Sequence, residues 1–361
     1  MKKQHFLIYM SLVTCFLLVS TTSTAQLKDR ISINGYSSFE FEYQLSDEGR
    51  GDPNGSFDAD LFDLVFNIEA TSRLRFVTDI TWEHGAALED GRGNVAIEYA
   101  FPEYTVKEWL KFRAGKMFVP FGIYNEIHTA KPAFLAVKEP LSTNKPHKFG
   151  AEERFYPRWA TGISILGNFS IGNASGDYHL QMSNGEQENT NPFEEDDNTQ
   201  KAFAGRVRVN PIPDLKIGAS FYNDFLTEFD INDNPTFDRT TLTSYGAQLE
   251  YQNQKFGCEF EFVKGNFKPS AGDSQKKYGI EAMFFYTIKN AFTPYLRYEF
   301  LEPDIDIDND NANMISFGLN SMIDDRFFLK LQYNYITSGN LNDRYSGVTS
   351  SEFQAALVLG F

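Results

Sequence analysis

Sixteen segments of about ten residues, each alternating apolar with polar side chains, follow one another along the 361 residues of the chain. The connections between them alternate long with short, and the last segment stops on a bare phenylalanine. These three observations predict an all-β chain: a transmembrane antiparallel β-barrel of 16 strands with a long, inward-folded third loop. A strand turns successive side chains to opposite faces, so strict alternation gives one greasy face and one wet face. In a barrel with long loops at one end and tight turns at the other, long and short connections must alternate.

The segments lie near residues 31–44, 60–70, 73–85, 93–104, 109–118, 158–168, 175–184 and 201–210, then 214–226, 240–252, 255–266, 275–288, 291–301, 312–323, 326–337 and 350–361. In the first, Phe39, Phe41 and Tyr43 oppose Ser38, Glu40 and Glu42. In the second, Phe62, Leu64, Phe66 and Ile68 oppose Asp63, Asn67 and Glu69. In the third, Leu74, Phe76, Ile80 and Trp82 oppose Arg73, Arg75, Asp79 and Glu83. Later segments repeat this: Phe256, Cys258, Phe260 and Phe262 against Glu259 and Glu261, and Leu329, Leu331, Tyr333 and Tyr335 against Lys330, Gln332 and Asn334. The last sets Phe353, Ala355, Leu357, Leu359 and Phe361 on one face, which is expected to meet lipid while the strand closes on the first. Long connections such as "LSDEGRGDPNGSFDA" and "EPDIDIDNDNA" alternate with short ones such as "TS", "PIPD" and "KN". "GNFSIGNA" is the least clear of the short connections.

Composition agrees with the pattern. Aromatic residues make up 16% of the chain, with 35 Phe and 18 Tyr, and the formal net charge is −16. Such acidity argues against nucleic acid as a partner. Lys2 and Lys3, the apolar stretch Phe6 to Val19 and the small residues Ser23, Thr24 and Ala25 read as a secretory signal peptide over residues 1–25, with the barrel over 26–361. Losing Lys2 and Lys3 takes the charge from −16 to −18. Only Cys258 remains after residue 25, so no intrachain disulfide is possible. No later apolar run approaches the roughly 18 residues of a spanning helix.

The connection from Val119 to Pro157 is far longer than its neighbours and too apolar for a solvated surface loop. A bore of sixteen strands holds water, and a loop folded inward narrows it. An external lid or a subunit contact is the other reading of this segment. It carries five basic residues, Lys131, Lys138, Lys145, Lys148 and Arg154, against the four acids Glu126, Glu139, Glu152 and Glu153. The inward faces sort by sign. Segments three to nine offer Arg73, Arg75, Lys111, Arg113, Arg206, Arg208 and Lys216. Segments ten to twelve, with one and two, offer Glu250, Glu259, Glu261, Glu281, Glu40, Glu42, Asp63 and Glu69; Asp79, Glu83, Arg297 and Lys330 break the pattern. The expectation is a transverse field with a basic wall along which anions pass. Ordinary solvated lumen residues are the alternative.

The stretch "FRAGKMFVPFGIYNE", Phe112 to Glu126, resembles the phosphate-selective porin O/P family, in particular members from Bacteroidetes-type bacteria. The terminal Phe361 also resembles the assembly signal of bacterial outer-membrane proteins. The resemblance implies a trimeric outer-membrane porin surrounded by lipid and passing small hydrophilic solutes, anions and phosphate among them, without a cofactor. The candidate pore-lining and constriction residues, read from the inward basic faces and the third loop, are Arg73, Arg75, Lys111, Arg113, Lys131, Lys138, Lys145, Lys148, Arg206 and Arg208. The family's best-understood members carry more inward arginines and a lysine cluster, and here acids face the basic residues. A non-channel barrel, adhesive or structural, is the alternative, followed by an outer-membrane hydrolase. Against the hydrolase, His84, His128, His147 and His179 have no "GxSxG" elbow to serve. Asp304, Asp306 and Asp308 have calcium-loop spacing, but Asn309 stands where glycine is needed and Ile315 where the bidentate glutamate belongs.

Overall fold

Closure of a barrel demands that its first and last strands share a register. The computed structural model describes residues 30–46, 54–83, 94–127, 129–149, 154–185, 196, 198–230, 234–289, 291–339, 347 and 349–361. The strands are β1 (Ile31–Ser46), β2 (Ser56–Glu69), β3 (Leu74–Glu83), β4 (Asn94–Lys107), β5 (Leu110–Phe118), β6 (Trp159–Ile171), β7 (Ala174–Ser183) and β8 (Ala202–Ile212). They continue with β9 (Leu215–Phe229), β10 (Pro235–Gln252), β11 (Phe256–Lys268), β12 (Gln275–Tyr286), β13 (Phe292–Glu302), β14 (Ala312–Asp324), β15 (Phe327–Ser338) and β16 (Thr349–Gly360). Each pairs antiparallel with its neighbours, and β1 pairs with β16 to close the barrel. No strand edge is left open, so the backbone groups of the wall pair between neighbouring strands except at local register shifts. The expected signal peptide at residues 1–25 lies outside the described residues.

At the seam, Phe39 faces Leu357, Phe41 faces Ala355 and Tyr43 faces Phe353 on the outer side, while Glu42 faces Gln354 on the inner side. Phe361 finishes the ladder: its N–H donates to Gly35 O at 2.8 Å, and Gly35 N–H donates back at 2.9 Å. Its ring stacks on Phe62 at 6.0 Å. A Cβ at Gly35 would meet that ring at 2.4 Å, so this position needs glycine. Outside, Phe39, Phe203, Leu296, Phe317 and Leu357 are exposed, an apolar band suited to hydrocarbon.

Two strand starts differ from the alternation pattern. β2 begins at Ser56 because a register shift opposite Ser38 and Glu40 moves Asp60 to the inner face and interrupts the period of two. β10 begins at Pro235 because it pairs back to Phe229 of β9, with a shift before Arg239. "GNFSIGNA" is almost wholly strand. β6 and β7 are joined by Gly172 and Asn173 alone, with Gly172 at φ +61°, a backbone state glycine enters without penalty.

The third loop, between β5 and β6, folds into the barrel. Its irregular chain holds two single-turn 3₁₀ segments, Asn125–Ile127 and Lys131–Ala133, and the short helix α1 (Pro146–Phe149). Its core lies inside the bore. Val119, Phe121, Phe149, Phe155 and Tyr156 of the loop pack with Tyr222, Leu242, Val263, Leu301, Met314 and Ile336 of the inner wall.

Candidate functional site

The loop is clipped at its neck. Val119 N–H donates to Arg158 O at 3.1 Å. Asn125 Nδ2 bridges Val119 O at 2.8 Å and Arg158 O at 3.0 Å. Gly122 then turns the chain against the wall at φ +61°. Its N–H donates to Ser220 Oγ on β9 at 3.1 Å, and its carbonyl accepts from Arg206 Nη1 on β8 at 3.2 Å. A Cβ here would stand 1.9 Å from Glu261 Oε1, so the "PFG" glycine is set both by backbone sign and by close approach.

Apolar burial supplies most of the attachment. Phe121, Phe149 and Phe155 are fully buried, and each such side chain is worth about 1.5–3 kcal/mol. In a buried ion pair the desolvation of both charges offsets much of their attraction, so such pairs add little net to that. Polar contacts fix the position instead, and they come as an exchange of charge between loop and wall.

Lys131 Nζ sits 2.8 Å from Glu40 Oε1 on β1 and 3.2 Å from Asp60 Oδ2 on β2, in a buried site. Burial disfavours its ammonium, but Glu40 and Asp60 outweigh that and hold its pKa above the ordinary lysine range. Lys138 pairs with Glu42 and Glu40, and the same balance raises its pKa. Lys145 Nζ lies 2.6 Å from Glu139 Oε1, within the loop itself. Burial pushes the Glu139 carboxyl up, but Lys145 and Lys131 together bring it below its usual value. Wall cations in turn hold loop carbonyls. Lys330 Nζ on β15 donates to the carbonyls of Lys131 at 2.5 Å, Phe134 at 2.5 Å and Ala136 at 3.1 Å. Arg297 Nη1 on β13 reaches Lys138 O at 2.9 Å, and Lys277 Nζ on β12 reaches Arg154 O at 3.1 Å. The loop is therefore seated on the wall from β8 round through β16 to β2.

That seat covers the acidic side of the lumen and reaches β7 through His179 and Glu126, and none of the loop hydrogen bonds and ion pairs named here falls on β3 to β6. On the bare side Arg75 of β3, Glu103 of β4 and Arg113 of β5 stand in one register row. Arg75 Nε donates to Glu103 Oε1 at 2.8 Å, and Arg113 Nε donates to Glu103 Oε2 at 2.7 Å. The Arg113 guanidinium also lies 4.7 Å from the centre of the Phe101 ring. Arg75 remains 39% exposed while Glu103 is 2% exposed, so one buried carboxylate braces two arginines of which at least one reaches the lumen water. Arg73 and Lys111 have no ion-pair partner among the described residues. Arg208 is paired with Asp177 at 3.0 Å and Lys216 with Glu250 at 3.1 Å, so neither adds net charge.

The sequence-predicted site residues thus separate into three groups. Arg73, Arg75, Lys111 and Arg113 lie together on β3 to β5, or at their turn end, on the uncovered wall. Arg206 pairs with Glu126 of the loop, which also has His179 Nδ1 at 3.6 Å. Burial raises the Glu126 carboxyl, but Arg206 and His179 outweigh it and hold the group well below the usual range. Lys131, Lys138 and Lys145 are taken up by acids. Lys148 falls in α1, and its side chain lies outside the described residues. Sequence reasoning missed Glu103, because a register shift between Asp79 and Ile80 disturbs alternation along β4. It also missed that Lys330 and Arg297 serve the loop. The available signal was the breaks in alternation at Val263, Leu301, Met314 and Ile336, inner-face positions that are apolar because a loop packs on them.

No profile of a known protein family matches the sequence. An uncharacterised protein of Aquifex aeolicus is 27% identical over 214 residues, 55% of this chain and 45% of that protein, so the match spans under half of that relative's length. Among solved structures, the anion-selective porin of Comamonas acidovorans superposes with a TM-score of 0.67 at 13% identity, over 92% of this chain and 99% of that one. The outer membrane channel DcaP of Acinetobacter baumannii gives 0.62 at 11% identity, covering 92% and 97%. OmpT, an outer-membrane protein of Vibrio cholerae, gives 0.60 at 10% identity, covering 92% and 97%. At these identities the likeness is one of fold, and the chain has the sixteen-stranded barrel fold of outer-membrane porins.

Proposed function

We propose that this chain is a bacterial outer-membrane porin that lets small hydrophilic solutes diffuse passively and favours anions, with residues 1–25 as a cleaved export signal, residues 26–361 as the barrel and a homotrimer as the working form. The observation that carries the reading is the seat of the third loop. It covers acids such as Glu40, Asp60, Glu259 and Glu261, and it leaves the Arg75, Glu103 and Arg113 row with Arg73 and Lys111 beside the remaining bore. Confined charge of one sign selects permeant ions by the field it presents. Among anions, phosphate is the one singled out by the resemblance at Phe112–Glu126. An anion-selective porin among the structural neighbours and a trimer form of OmpT agree with the reading.

A second reading draws on the same loop. Its attachment from β8 round to β2 is broad enough to stop the bore, which would make the chain a closed barrel with a structural or adhesive role. Planar-bilayer recording of the refolded protein separates the two. A porin inserts in discrete conductance steps; a closed barrel inserts, by heat-modifiable migration on gels, with no steps.

A further inference from the structure

Three glutamates stand side by side on the wall beneath the third loop. Glu261 of β11 is in register with Glu281 of β12, and Glu281 with Glu299 of β13. Side chains so placed have Cβ atoms about 4.5–5.5 Å apart, and like charges directly opposite one another destabilise a sheet. All three are buried, Glu281 and Glu299 completely. The outer two have partners. Thr143 Oγ1 lies 3.4 Å from Glu261 Oε2. Ser142 N–H donates to Glu299 Oε2 at 2.8 Å, and Arg297 Nε lies 3.1 Å from Glu299 Oε1. The middle residue has none among the described residues: neither oxygen of Glu281 has a hydrogen-bond partner there, and Glu261 Oε1 lacks one too. An ionised carboxylate can only accept, whereas a protonated one carries an O–H donor.

We infer that Glu281 is a neutral carboxylic acid whose O–H bonds across the strands to a flanking carboxylate, and that this proton latches the third loop to the wall. The charged and titratable groups around it make the case. Glu259 of β11 adds another acid, its Oε2 accepting from Tyr124 OH of the loop at 2.5 Å. Arg297 of β13 is turned to Glu299 and Lys138 O. Lys277 of β12 points to Arg154 O, with the Phe267 ring 4.0 Å away. From the loop, Lys138 and Lys145 are held by Glu42 and Glu139. With Glu281 ionised, four carboxylates would face the one guanidinium of Arg297. Hydroxide removes the O–H proton as water and no other bond changes. The like-charged carboxylates then repel one another and move apart, and the loop donors bonded to the flanking ones, Ser142 N–H on Glu299 and Thr143 Oγ1 on Glu261, lose their seat.

The test does not depend on conduction. Infrared spectra of the refolded full chain are recorded against pH for wild type and Glu281→Gln, with hydrogen–deuterium exchange of peptides from residues 119–158 at matched pH. At neutral pH the wild type shows a carboxylic-acid C=O band that shifts in D₂O and is absent from the variant, and both loops exchange alike. In alkaline solution the band disappears and the wild-type loop exchanges faster than the variant loop. Because Lys131 and Lys138 are held charged above the ordinary lysine value of about 10.4, a step below that pH is not theirs. Identical carbonyl spectra for the two proteins overturn the proton. A band without any difference in loop exchange overturns the latch. Should the variant not fold, an alkaline titration of wild type that leaves the band and the loop exchange unchanged overturns the inference by itself.

Discussion

A lysine inside a barrel can face the solute or the wall, and Lys131 faces the wall. Its ammonium is buried between Glu40 and Asp60 and also donates to Val137 O at 3.2 Å. Breaking a buried pair costs about 3–5 kcal/mol, because the orphaned charge stays behind. Lys131→Met strips Asp60 of its cation and leaves Glu40 with Lys138 at 3.8 Å, so we expect a loss within that range, read as a lower urea midpoint for loss of the heat-resistant gel band. Glu103 has the opposite role. It neutralises one of two arginines, and Glu103→Gln removes its charge while keeping its size. The variant is expected to favour anions more strongly than wild type, seen as a larger reversal potential in a salt gradient; an unchanged potential would remove Glu103 from the selectivity account. The loop acids set an acid limit. Glu126 and Glu139 have depressed folded values, so their contribution is complete above the unfolded value of about 4.3 and is lost as pH falls through the folded values. Exchange of loop amides is therefore expected to stay slow from neutral pH down to about pH 4 and to quicken below it.

At the scale of elements, the strands were legible and the seat of the loop was not. Sixteen alternating segments became sixteen strands because a lipid-facing band forces the period of two, and β1 met β16 as the terminal phenylalanine suggested. The misses sit where that force lapses: at the bulge beside Asp60, at the extension of β10 to Pro235, and at Glu103 beyond the register shift on β4. The inward fold of the loop could be read from its length and its apolar content. Its partners could not, since Lys131 finds Glu40 across 91 residues and Lys330 finds Phe134 across 196. Gly122 shows what a local motif can reveal: the glycine is visible in "PFG", but the Glu261 oxygen pressing on it belongs to a distant strand. Gly122→Ala carries about 1–2 kcal/mol of left-handed backbone cost, to which displacement of Glu261 adds. We expect a folded barrel with a less firmly seated loop, measured as faster exchange in residues 119–127 and unchanged exchange in β1 and β16.

For the whole molecule, net charge misleads. The chain carries −16, yet the acids nearest the loop are paired or covered by it, while basic residues gather on β3 to β5. In the proposed porin the field inside the bore is set by which wall the loop leaves bare, a property of the folded barrel that composition does not report. The central claim is that this bare wall confers anion preference. It is tested most directly by the zero-current potential in a potassium chloride gradient, for wild type and for Arg75→Glu with Arg113→Glu. The account predicts a potential of the sign set by chloride for wild type, with the double variant shifted toward the potassium side. A cation-favouring wild type, or a double variant with the wild-type potential, would contradict it.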